Sequence, residues 1–321
     1  MATYIIRRLF FLIPLLIIMS FIGFLAINLA PGNYFDTLKQ NPQISRETIS
    51  EYEAKYHLDK DVFTQYFYWL VNVSKFDFGY SFAYKIPVIK ILKLRLFNTF
   101  ILSLSVILFT WLIAIPLGIY CAVNQHKFSD RFFSFLSFIG LSIPNFFFTL
   151  LLLYFASKTG ILPSGGMHSL GYEDLSGFGK FIDLSKHLVI PTVVIGTSGI
   201  AGLQRLMRGN MLEVLRSQYV MAARAKGLSE NRVIYVHALR NAINPMVTIF
   251  GGSLSGLLSG AALTEIICSW PGLGSLMLEA VRSQDLFLFA GDLLMTGFLL
   301  IIGYILADIL LAWVDPRIQY Q

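Results

Sequence analysis

The chain has 321 residues, of which 55% are hydrophobic and only 14% charged, and its mean hydropathy is +0.65. Soluble domains carry about 25% charged residues, so this composition excludes an ordinary soluble protein and reads as an integral membrane protein. The formal net charge of +6 does not point to nucleic acid, because the basic residues flank apolar runs, where they set topology.

A membrane-crossing helix needs about 20 mostly apolar residues. Six segments meet that requirement, at residues 9–30, 99–123, 132–157, 188–204, 246–268 and 289–314. The first follows Arg7 and Arg8 and is too long for a cleavable signal core of about 7–15 residues, so it reads as an uncleaved transmembrane helix. A long loop, 32–98, comes next and contains "LDKDVFTQYFYWLVNVSKFDFGYSF". Its Tyr66, Phe67, Tyr68 and Trp69 fit either a helix at the membrane interface or a small cap packed on the spans. The fourth span opens with Pro191 near its first turn, where proline is tolerated. It carries Gly196, Gly199 and Gly202 on one face, and the fifth repeats Gly252, Gly256 and Gly260, a pattern that lets helix backbones approach closely.

With a cytoplasmic N-terminus, twelve Lys and Arg fall in the inner segments and four in the two short outer loops. The remaining nine lie in the long first loop, which translocates regardless of charge. Both termini are therefore expected inside. The expected organisation is a first helix with its extracytoplasmic segment over 1–94, a transport core over 95–314 and a cytoplasmic tail over 315–321.

The interiors of the first five spans hold no Asp, Glu, Lys, Arg or His. Ion-coupled carriers use such intramembrane groups to carry the coupling charge, so a transporter of this composition draws its energy from elsewhere. Asp308, near the cytoplasmic end of the sixth span, reads as an interfacial anchor. The chain lacks a phosphate loop: its nearest approach, Gly179-Lys180, has Asp174 in place of the first glycine and Phe181 in place of the hydroxyl residue. Cys121 and Cys268 read as small buried hydrophobes, and the five histidines have no metal-binding spacing.

The loop between the fourth and fifth spans, 205–244, is basic and helix-prone. Helix formers run from Met211 to Lys226, and Gly227 follows a basic last turn as a glycine at C′ does. Ser229 is placed to cap a second helix reaching about Ala242, which Pro245 ends. Two readings stand: a topology-setting loop that attracts anionic lipid, or a rigid docking element whose small Ala222, Ala223 and Ala225 let a partner come close. After the fifth span, Trp270, Pro271, Gly272 and Gly274 form an outer turn, read either as an interfacial tryptophan with a tight turn or as an outer gate wall or binding-protein contact.

The stretch "YVMAARAKGLSENRVIYVHALRNAINP" resembles the coupling loop of ABC-importer permeases in its oligopeptide/dipeptide/nickel form. Tyr219, Ala222, Ala223, Arg224, Ala225, Lys226, Gly227, His237, Arg240, Asn241 and Pro245 match that pattern. Met221 stands where the general motif has glutamate, and Pro245 lies later than its proline. Further resemblances follow in order: "YIIRRLFFLIPLL", "LAPGN", "LPSGG" at Leu162–Gly166, "TEIICSWPGLGSLMLEAVRSQD" at Thr264–Asp285, and "DPRI".

The resemblance implies an all-α polytopic membrane protein of the type I importer class, with six transmembrane helices, in a prokaryotic inner membrane. It implies a second homologous permease subunit, two ATPase subunits that hold ATP and Mg, and an extracytoplasmic solute-binding protein. No cofactor or metal is then expected on this chain, which would not itself be an enzyme. Arg216, Tyr219 and Ala222 to Gly227 would couple the chain to the ATPases. Peptides are the expected substrate. A nickel or other small-solute importer of the same family, or an ion-coupled carrier acting alone, are the alternatives.

Overall fold

The computed structural model describes residues 2–30, 46–246, 249–250 and 262–314. In lipid the backbone has to satisfy its own hydrogen bonds, so apolar runs fold as helices. In chain order these are α1 (Ala2–Leu29), α2 (Arg46–Lys55), α3 (Val62–Val73), α4 (Val88–Val123), α5 (Phe128–Ser142) and α6 (Asn145–Thr159). They continue as α7 (Gly177–Leu215), α8 (Gln218–Ala225), α9 over residues 230–242, α10 (Ala262–Ile267), α11 (Leu273–Arg282) and α12 (Leu286–Val314). Among the described residues one small antiparallel hairpin, β1 (Tyr80–Ser81) against β2 (Ile86–Pro87), pairs Tyr80 with Pro87 and Ser81 with Ile86.

Among the described residues four helices, α1, α4, α7 and α12, are long and apolar enough to cross a membrane, and α5 with α6 adds a fifth if the bent pair forms one span. The chain is a multi-pass membrane protein. The expected fifth span, 246–268, lies largely outside the described residues, and Gly252, Gly256 and Gly260 lie outside them altogether.

Two expected spans differ from what is observed. The third is not straight: α5 and α6 meet at 97°. Ile143 between them is extended, with φ −86° and ψ 119°, because Pro144 disfavours helical backbone in the residue before it. The fourth is the middle of a 39-residue helix, so Pro191 lies well inside α7 and residues 205–215 extend that helix rather than open a loop. The local pattern around Pro191 cannot reveal this, because spans tolerate proline where neighbouring helices satisfy the freed carbonyl.

The chain divides into two compact units, Met1–Thr99 with Pro271–Ile301, and Phe100–Trp270 with Ile302–Gln321. The first is built on aromatic rings. Phe24, Tyr66, Trp69, Phe78, Phe82 and Phe287 share its core. Tyr66 donates its hydroxyl proton to the Ile17 carbonyl at 2.8 Å, and the Trp69 indole donates to Phe78 at 3.2 Å. Phe67 and Tyr68 of the same helix stay exposed, so α3 is a cap on one face and keeps outward aromatics on the other. Asp61 caps it by accepting from the Thr64 amide at 3.0 Å. Asp285, fully buried, accepts from the Ser81 hydroxyl at 2.6 Å, the Ala83 amide at 3.1 Å and the Leu288 amide at 3.2 Å. It thereby caps α12 and fixes the β-hairpin segment at once.

The second unit has two cores along α7. One gathers Leu102, Val106, Ile190, Val194, Cys268 and Trp270. Beside it the "LPSGG" loop is held by the Gly166 amide, which donates to the Cys268 carbonyl at 2.8 Å. The other core lies toward the end of α7 and includes Ala114, Ile119, Leu203, Met207, Met211, Val220, Ala223 and Val233. Helices α4 and α7 close on each other where side chains are smallest. A Cβ on Gly196 would meet the Phe109 ring at 2.5 Å, and one on Gly118 would meet Met207 Cβ at 2.7 Å and the Gln204 carbonyl oxygen at 2.9 Å.

Candidate functional site: an exposed helical hairpin

Helix α7 stops at Leu215 because the next two residues leave helical geometry in turn. Arg216 sits at φ −91° and ψ −3°, and Ser217 is extended at φ −70° and ψ 150°. The Ser217 hydroxyl donates to the Val214 carbonyl at 2.6 Å, satisfying one of the carbonyls that a helix end leaves open. The helix expected from Met211 to Lys226 is therefore two helices. The second, α8, has eight residues and a length of about 12 Å.

Its two faces differ. Val220 and Ala223 point into the core beneath. Tyr219, Met221, Ala222, Arg224 and Ala225 are exposed, as are Lys226 and Gly227 after it. Of the three alanines expected to face a partner, Ala222 and Ala225 are thus outward, and Ala223 anchors the hairpin to its own chain. Gly227 sits at φ +77°. Its amide donates to the Arg224 carbonyl at 2.9 Å, and the Leu228 amide donates to the Ala223 carbonyl at 3.4 Å. These are the two bonds of a Schellman cap, in which glycine is favoured at C′.

The return arm, α9, begins after Ser229, which is extended as an N-cap should be but makes no side-chain capping bond. Glu230–Arg232 is α-helical, Val233–Ala238 winds as a π-helix, and Leu239–Ala242 returns to α geometry. The Leu239 amide bonds back to the Ile234 carbonyl. This wide turn aligns Val233, Ile234, Ala238 and Ala242 on the buried face. Its trace in the sequence is the four-residue recurrence at Ile234, Ala238 and Ala242, slower than the 3.6 of an α-helix.

Polar contacts lock the arms together. The Arg224 guanidinium grips Glu230 with two bonds, at 2.9 and 3.2 Å. Asn241 donates to the Tyr219 hydroxyl at 2.6 Å, and Asn210 donates to the Ala242 carbonyl at 3.2 Å, tying α9 to α7. Arg216 donates to the Gln125 side chain at 3.3 Å. Sequence reasoning missed Gln125, Asn210 and Glu230, because nothing in their local pattern says that they meet these partners. Arg224 spends its charge within the hairpin, whereas Lys226 has no ion-pair partner among the described residues. The result is a stiff, cationic, small-residue edge that projects from a membrane-embedded core. Its exposed small and basic side chains suit docking.

The turn at Trp270 to Gly274 is differently placed. Trp270 is 1% exposed and belongs to a core of the second unit, and Gly272 is buried. The Pro271 carbonyl accepts from the Asn98 side chain at 2.8 Å, and the Leu273 amide donates to the Thr99 hydroxyl at 2.8 Å. Pro271 and Gly274 are half-buried. Neither an interfacial indole nor an open contact surface is what Trp270 presents.

The chain thus joins helices apolar enough to span a membrane to an exposed helical hairpin. The family described as binding-protein-dependent transport system inner membrane component matches residues 114–320, and the chain belongs to it. Members of this family are membrane parts of transport systems, so the chain itself is not an enzyme. The chain is 39% identical over the full length of both chains to the oligopeptide transport system permease protein AppB of Bacillus subtilis. It is 34% identical, again over the whole of both, to the dipeptide transport system permease protein DppB of Escherichia coli K12. With the oligopeptide transport system permease protein OppB of Haemophilus influenzae it shares 33%, over the full length of both.

Proposed function

We propose that this chain is one of two permease subunits of an ATP-driven importer of di- or oligopeptides. The observation that carries the reading is the end-to-end similarity to permeases named for oligopeptides and dipeptides. Those names give no support to nickel as the cargo. The second permease subunit pairs with this one, two ATPases sit on the cytoplasmic side with ATP and Mg, and an extracytoplasmic binding protein delivers the peptide. Six spans, with both termini cytoplasmic, put the α8–α9 hairpin on the ATPase side, as the distribution of Lys and Arg supports.

In this reading the exposed edge, Arg216, Tyr219, Ala222, Arg224, Ala225, Lys226 and Gly227, meets the ATPase, and Ala223 holds that edge to the transport core. ATP-driven closure of the ATPases pushes on α8, and the core turns its cavity outward. The turn from Trp270 to Gly274 frames the outer gate, with Trp270 as buried support.

The test is reconstitution of the chain with its neighbouring permease, ATPases and binding protein in liposomes, followed by uptake of labelled peptide. Uptake that needs ATP inside and binding protein outside is expected. Peptide uptake by the purified chain alone under an ion gradient would overturn the reading in favour of a self-sufficient carrier.

A further inference from the structure

A cavity of about 410 Å³ opens between α5 and α7, within the second unit. Its wall is basic: Arg131, Arg205 and Arg208 all line it, against one carboxylate, Asp130. Asp130 is buried and already committed. Arg208 holds it through two bonds of 2.7 Å each, and the His126 amide donates to it at 3.1 Å. That pair is neutral as a whole. The other two guanidinium groups have no carboxylate partner among the described residues. Arg205 lies 4.5 Å over the Phe138 ring, which orients its plane without cancelling its charge.

Gln204 also lines the cavity, but it is 2% exposed and its side chain lies against the Cys121 thiol of α4, so it offers the cavity no free donor. The cavity therefore holds two positive charges without a carboxylate partner. Those features call for an anion with several oxygen acceptors, and a phosphate fits this description.

The surroundings identify where that phosphate comes from. Phe132, Phe135, Leu136 and Ile139 are exposed on α5, the helix that carries Arg131, and α5 belongs to the bent pair long and apolar enough to cross the membrane. A free anion has no use for such flanks, whereas the acyl chains of a lipid lie along them. Basic pockets between spanning helices suit anionic headgroups in this way. We propose that the cavity between α5 and α7 binds the phosphate headgroup of an anionic membrane phospholipid, with Arg131 and Arg205 as its principal ligands. This goes beyond the proposed transport role and stands or falls separately from it, since it concerns neither peptide nor ATPase.

The test is native mass spectrometry of the full-length chain released from nanodiscs of phosphatidylcholine containing phosphatidylglycerol. The unmodified chain is expected to retain phosphatidylglycerol in preference to phosphatidylcholine. Arg131→Ala with Arg205→Ala should weaken that retention about thirty-fold at low salt, while Arg131→Lys with Arg205→Lys keeps most of it. Arg208 is left alone, because its removal strands the buried Asp130. If the double alanine variant does not fold, Arg131→Gln carries the test, since the Arg131 side chain has no ion-pair partner among the described residues; the expected loss is about five-fold. Equal retention of the two lipids, or of phosphatidylglycerol by wild type and the Arg131 variants, overturns the proposal. Full displacement by millimolar inorganic phosphate also overturns it, by showing a free-anion site. Efficient cross-linking of Arg131→Cys to a second permease subunit would do the same, by showing that protein fills the mouth.

Discussion

Replacing Gly227 tests whether the hairpin acts as a rigid lever. The residue sits at φ +77°, and no heavy atom lies within 4 Å of where a Cβ would be. A side chain therefore meets no wall, and the whole penalty is conformational. The left-handed conformation costs an ordinary L-residue about 1–2 kcal/mol relative to glycine, and a β-branched residue lies at the upper end of that range. One to two kcal/mol is about a five- to thirty-fold fall in the capped-to-uncapped equilibrium constant, which is the upper bound on the loss of capped hairpin. The cap bonds at stake are those from Gly227 to Arg224 and from Leu228 to Ala223. Gly227→Val should therefore lower ATP-driven peptide uptake by up to that factor, and the solubilised complex should still melt as a folded protein. Gly227→Asn, which tolerates the left-handed region, should retain most of the uptake. Uptake and ATP hydrolysis are measured together in proteoliposomes, so that loss of coupling is separated from loss of protein. Normal uptake by Gly227→Val refutes the reasoning. So does equal damage by Val and Asn, because that would trace the requirement to contact space rather than to backbone conformation.

Two further predictions concern the scaffold. Gly118→Ala places a methyl group 2.7 Å from Met207 and 2.9 Å from a main-chain oxygen, so α4 and α7 must separate, at a cost of about 1–3 kcal/mol; Gly202→Ala, with nothing within 4 Å, should be neutral or stabilise by up to about 1 kcal/mol, and thermal melts of the two variants side by side decide the matter. Burial pushes the Asp285 carboxyl pKa up despite its three hydrogen bonds, so the folded chain holds that proton more tightly than the unfolded one. Stability from this group is complete below the ordinary carboxylate pKa and is lost as pH rises through the elevated folded value. Asp285→Asn should flatten that fall in a pH series of melting temperatures, and an unchanged slope would count against it.

The sequence was most legible where one residue type has one physical use. Gly227 after a basic turn announced a helix end, and its left-handed backbone is what that position demands. The membrane class followed from composition, because no soluble fold hides so much apolar surface with so little charge. What stayed illegible depended on distant partners. Pro144 and Pro191 look alike in apolar runs, yet one sits at a 97° bend and the other is absorbed inside a 39-residue helix. Which outcome occurs is decided by what packs alongside, not by the proline. Ala223 likewise cannot be told from Ala222 by type; only the turn at Arg216 and Ser217, which resets the helix, determines which alanine faces inward.

That reset is what connects the exposed edge to the membrane. Val220 and Ala223 share one continuous core with Met207 and Met211 of α7 and with Ala114, Ile119 and Ala122 of α4. Close-packed interiors do not deform gradually, so a push on Tyr219 or Ala222 cannot be taken up within α8. The Schellman cap stops the push from unwinding the end of α8. The Arg224–Glu230 and Asn241–Tyr219 bonds stop the arms from scissoring, and Asn210 ties the return arm to α7. In the proposed coupling, motion applied at the edge would pass through this shared core to α7 and α4 together, which meet closely at the Gly118–Met207 and Gly196–Phe109 crossings. The glycine at 118 lets those two helices meet closely, and in the proposed coupling the glycine at 227 would keep the hairpin end capped while it passes motion on to them.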